Sequence, residues 1–105
     1  MEFKGTSVPW VHAGGNSLTE TIGGAINGDG KTLCLVLGNG IGKEKATANA
    51  KLIASAPDLL YSLQKLLTEY KFTRSQLNGD TEEDLVDVLC VRNAMAAINK
   101  ALGCE

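Results

Sequence analysis

The sequence predicts an α+β fold: a three-stranded antiparallel sheet at the N-terminus, then a kinked helix and a C-terminal helix forming a helical hairpin. Three observations carry this. Ten of the twelve glycines fall within residues 1–42, so the front of the chain is broken by turns and the rest is free to run as helix. Between those turns lie short runs rich in β-branched and apolar residues, while the back half places its apolar residues at helical spacing. At 105 residues, 44% of them apolar, the chain fits a single domain over 1–105 that buries roughly two-thirds of its unfolded surface.

The first strand falls within Val8 to Ala13, where Pro9 suits an edge because proline cannot donate to a central ladder. Gly14-Gly15-Asn16 marks a turn. Leu18, Glu20 and Ile22 alternate with Thr19 and Thr21 as a second strand, and Gly23-Gly24 suggests a bulge or bend before Ala25-Ile26. Asn27-Gly28-Asp29-Gly30 is the strongest hairpin signal in the chain, since both dipeptides accept positive φ. Thr32 to Leu37 then reads as a buried strand, with Cys34 a small core residue. A meander is the simplest connection, and so small a sheet needs a helix over one face.

Helix is expected over 43–72. Ala46, Ala50, Ile53 and Ala54 repeat at helical spacing, and Leu59, Leu60, Leu63, Leu66, Leu67 and Tyr70 continue as an apolar stripe. Between them Pro57 predicts a break, with Ser55 and Asp58 spaced like a capping box, so the segment is one kinked helix or two. A straight rod of this length spans ~45 Å. A domain of this size has a radius of gyration near ~13 Å. A bend together with self-association is the expectation. Thr73 to Asn78 reads as a polar loop. The last helix runs over 81–102, capped by Asp80 and Glu83 and ended by Gly103. Leu85, Val88, Val91, Met95, Ile98 and Leu102 form its near-heptad seam.

Ten basic and twelve acidic side chains give a formal charge of −2, which argues against a chain built to coat nucleic acid or an anionic membrane. No apolar run approaches the ~20 residues of a bilayer span. Met1-Glu2-Phe3-Lys4 lacks a basic-then-apolar signal, so export is not expected and a cytoplasmic location is. Cys34, Cys90 and Cys104 include no C-x-x-C pair and His12 is the sole histidine, so neither a zinc site nor any other cofactor is expected. The cysteines read as reduced thiols.

Of the motifs, Gly38-Asn39-Gly40-Ile41-Gly42-Lys43 comes nearest to chemistry. Glycines between a strand and a helix can bring backbone N–H groups to a phosphate. Yet Leu37 stands where the Walker pattern needs glycine, Glu44 stands where it needs Ser or Thr, and the G-x-G-x-x-G spacing fails by one residue. A tight turn explains these glycines equally well. Trp10 offers a stacking surface for a base or a large core side chain. Arg92 and Lys100 share roughly one face of the last helix and could meet an anion, and Arg74 in the loop is equally open. The candidate ligand-binding set is Trp10, Gly38, Asn39, Gly40, Lys43 and Arg92. Glu82, Glu83, Asp84 and Asp87 read as a solvated helix start. With no acid, base and nucleophile in a recognisable relation, no catalytic residue is assigned and an enzyme is not expected.

The stretch Glu44-Lys45-Ala46-Thr47-Ala48-Asn49-Ala50-Lys51-Leu52-Ile53-Ala54-Ser55-Ala56-Pro57-Asp58-Leu59-Leu60 resembles the E-A-x-A-N-A-x-L-I-A-x-A-P-x-L-L segment of small proteins encoded by phages and prophages. Those proteins also carry an N-terminal Pro-Trp before glycine-broken strands, as at Pro9-Trp10. The likeness covers about half the chain, and Lys45 and Thr47 depart from it. It implies an accessory protein that binds a host molecule. Two forms follow: counter-defence by sequestering an anionic nucleotide signal in a homo-oligomer, or docking on a host defence protein through the helical hairpin.

Overall fold

In a computed structural model of the chain, residues 2–14, 22–79 and 88–103 are described. They form β1 (Trp10–Ala13), β2 (Gly24–Gly28), β3 (Lys31–Val36), α1 (Lys43–Asn78) and α2 (Leu89–Leu102). The fold is α+β, with the three strands in one antiparallel sheet of order β1-β2-β3. The chain divides into two compact units, Lys4–Asp58 and Met1–Phe3 with Leu59–Glu105.

In the first unit, β2 and β3 meet through a two-residue turn at Asp29 and Gly30, whose φ values of 51° and 74° match the right-handed twist of the strands. Gly28 pairs with Lys31 across it. Ile26 faces Cys34 and Asn27 faces Thr32, so Leu33 is an extra residue on β3. That bulge decides which side chains turn inward. Strict alternation back from Val36 would send Cys34 and Thr32 to the core; instead Leu33 packs against the buried cluster of Ile26, Val36 and Ala50. Cys34 is exposed and free, contrary to the expectation of a core cysteine. Gly23 stands in the turn that enters β2, the bend expected there, and the bulge lies further on, at Ile26/Asn27. Residues 15–21 of the expected second strand lie outside the described residues, and Ile22 sits in the turn leading into β2.

The helix needed to cover the sheet is the start of α1. Ala50 is fully buried in the sheet's cluster, with Ile53 and Ala54 packed beside it. Alanines let the helix backbone come close to the strands, and Ile26, at 0% exposure, fills the space between.

Pro57 does not end the helix. Lys43–Asn78 is one helix of 36 residues with Pro57 inside it, which sets aside the two-helix reading. Ser55 makes no cap: its hydroxyl donates back to the Lys51 carbonyl at 3.0 Å, the mid-helix habit of serine. Missing one N–H costs a helix about 3 kcal/mol, a penalty opposed by burial of the Pro57 ring. Thr73–Asn78, expected as a loop, is the last part of α1. None of those six residues breaks a helix, and Gly79 closes it with φ of 70° and an N–H donated to the Ser75 carbonyl.

In the second unit, α2 buries Val91 and Ile98 and half-buries Val88, Met95 and Leu102, as the near-heptad seam requires. Gly103 ends α2 in the left-handed region at φ 74°. Asp80, Glu83, Leu85 and the other residues of 80–87 lie outside the described residues, as do Cys104 and Glu105.

Candidate functional site

The connection from β3 to α1 is held from within. The Gly38 carbonyl accepts from the N–H groups of Ile41 and Gly42, both at 3.1 Å, and the Gly42 carbonyl accepts from Ala46 at 3.0 Å. Gly38 is buried where a Cβ would collide with the Ile22 side chain and meet the Ala46 Cβ at 3.2 Å. Gly40 and Gly42 take φ of 83° and 86°, a backbone that L side chains rarely adopt. Packing and backbone sterics therefore account for all three glycines. Outward, the turn presents Asn39, Gly40 and Lys43, all exposed, and the first-turn N–H groups of α1. Glu44 occupies that first turn and already satisfies the helix dipole.

Trp10 is placed elsewhere on the sheet. It pairs with Gly28 at the hairpin end of β1, whereas Gly38 follows the Val36 end of β3. Two strand spacings across and four residues along separate them by on the order of 16 Å. The Trp10 indole N–H donates to the Thr6 carbonyl at 3.1 Å, and its ring packs against the Ile26 cluster. It serves as core. Arg92 is exposed on α2, in the other unit. Arg74 lies in α1 rather than in a loop: its Nη1 donates to the Tyr70 hydroxyl at 2.8 Å, with the guanidinium 5.8 Å from the ring centroid. His12 donates from Nε2 to the Gly23 carbonyl at 2.8 Å, a structural tie. Among the described residues no cluster of His, Cys, Asp or Glu could hold a metal ion.

The sequence reading missed how α1 divides its apolar side chains. Its stripe splits after Leu59. Leu60, Leu63, Leu67 and Tyr70 are half-buried, whereas Leu59, Leu66 and Leu77 are 54%, 63% and 78% exposed. Leu63, Leu66, Leu67 and Tyr70 share with Cys90, Val91 and Ala94 an apolar groove of about 290 Å³. A third face carries Tyr61 and Phe72, each 65% exposed. Around a helix of 3.6 residues per turn it stands about 140° from the leucine row. Beside Tyr61, with Gln64, Lys65, Thr68 and Glu69, is a shallow depression of about 440 Å³. Spacing alone held the signal: Tyr61, Lys65, Thr68 and Phe72 follow steps of four, three and four residues.

A small α+β protein results, whose exposed large apolar side chains include Leu59, Tyr61, Leu66, Phe72 and Leu77 of α1 and Val11 and Leu35 of the sheet. The chain belongs to the family described as Salmonella phage P22 protein Y8K6, whose model matches residues 1–105. This supports the phage resemblance carried by the Glu44–Leu60 stretch. No curated protein and no solved structure is similar enough to the chain to match it. Among the described residues no helix is long and apolar enough to cross a membrane.

Proposed function

We propose that this phage-family protein is an accessory factor that works by binding rather than turnover, and that its target is a host protein gripped by the Tyr61–Phe72 face of α1. The observation that carries this is the pair of aromatics, each 65% exposed on one helix face with Lys65 and Thr68 between them. Exposed aromatics about 16 Å apart along a helix are the anchors protein interfaces favour, because each brings large apolar area at little entropic cost. The test is capture from infected host cells by the wild-type chain and by the Tyr61→Ala/Phe72→Ala variant. The reading expects a host protein retained by the wild type, lost by the variant, and rebound when purified. Retention independent of both aromatics contradicts it.

A second reading, sequestration of an anionic nucleotide in an oligomer, has one observation in its favour: exposed Lys43 stands at the N-terminal end of α1, where first-turn N–H groups have no partner within the helix. Against it, the N–H groups of Ile41 and Gly42 are already bonded to Gly38. Calorimetry against cyclic and ADP-ribose-type nucleotides decides: saturable heat abolished by Lys43→Ala supports this reading, and no heat ends it.

A further inference from the structure

We infer that the leucine row of α1 is a self-association seam that receives the same row of a second copy of this chain. This does not rest on the host-binding face, which lies on another side of the helix. Leu59, Leu63, Leu66, Tyr70 and Leu77 follow one another by four, three, four and seven residues, the spacing of a heptad seam. Three of the five are more than half exposed, and the other two are half-buried at the seam's inner edge. A row of near-identical side chains along a helix is complementary to itself under a two-fold axis, so a second copy fits it without any further requirement. The flank away from the groove carries Ser62, Glu69 and Gln76, a single charge among three positions, so like-charge repulsion between copies is small.

The area is sufficient. A buried leucine side chain removes on the order of 100 Å² of apolar surface. The three exposed leucines with the outer parts of Leu63 and Tyr70 then supply ~400 Å² per copy. Doubled, and taken as the ~65% apolar share of a homodimer interface, this gives a total of ~1,200 Å², at the threshold of specific association. Leu66 holds the central place, since it is both exposed and part of the groove lined by Val91 and Ala94.

The experiment is light scattering and sedimentation equilibrium on the full chain, wild type against Leu66→Glu, with circular dichroism on each. The wild type is expected to run at twice the chain mass or an even multiple of it. Leu66→Glu is expected to fall to the single-chain mass with its helix signal retained. A wild-type monomer throughout the concentration range overturns the inference, and so does an oligomer that Leu66→Glu leaves intact. Should Leu66→Glu unfold, Leu66→Ala decides: a dissociation constant raised ~10-fold or more supports the seam, and an unchanged one overturns it.

Discussion

The imidazole of His12 donates from Nε2 to the carbonyl of Gly23 at 2.8 Å, tying β1 to the turn that enters β2. Gly23 in turn donates its N–H to the Val36 carbonyl at 3.1 Å, so one residue links the first strand to the last. The only histidine of the chain is thereby a fastener of the sheet. His12→Ala leaves that carbonyl without its side-chain donor and is expected to lower stability by about 1 kcal/mol. A urea melt checks this: the midpoint should fall with the slope unchanged. No change in midpoint contradicts a structural role.

Ile26 is fully buried among Val36 and Ala50, with Trp10, Leu33, Ile53 and Ala54 packed against them. Ile26→Ala is expected to cost about 2–5 kcal/mol and to abolish strand signals in an amide proton spectrum. Val11→Ala, on the outer face of β1 at 54% exposure, should stay within about 0.5 kcal/mol.

Gly38 separates the structural account of the strand-to-helix turn from a ligand-binding one. Gly38→Ala forces a methyl group into Ile22 and should lower the thermal midpoint by the equivalent of about 1–3 kcal/mol. Asn39→Ala, one residue on and exposed, should leave the melt within about 0.5 kcal/mol of wild type. Equal melts for wild type and Gly38→Ala would contradict the close packing.

Local signals were legible in the sequence and tertiary ones were not. Asp29-Gly30 and Gly103 could be read because their dihedral demands are met by few residues. The α2 seam could be read because Val91 and Ile98 repeat at helical period. Cys34 was misplaced because one bulged residue, Leu33, resets the alternation of β3, and nothing in the composition of Thr32 to Leu37 marks it. Pro57 read as a break because local propensity knows nothing of the packing that buries its ring. Of the candidate site, Trp10 and Gly38 stand on the order of 16 Å apart on the sheet, because chemical type groups residues without regard to strand register. Periodicity placed Leu59 and Leu60 in one stripe, yet only neighbours in space decide which is covered.

Pro57 supplies a prediction of the opposite sign. Pro57→Ala restores the N–H that the Ile53 carbonyl lacks and removes the ring's clash, while giving up some buried area. The net effect is a gain of about 1–2 kcal/mol, seen as a higher thermal midpoint and a deeper helical minimum at 222 nm. A lower midpoint would mean that ring packing outweighs the helix bond.

The central claim is that separate faces of α1 do separate work, and a crossed measurement tests it most directly. Leu59→Glu/Leu66→Glu and Tyr61→Ala/Phe72→Ala are each assayed for mass by light scattering and for capture of the host protein. The account predicts that the leucine variant loses the oligomer, and that the aromatic variant keeps the oligomer but loses the host protein. An aromatic variant that dissociates, or a leucine variant that stays assembled, would contradict the division.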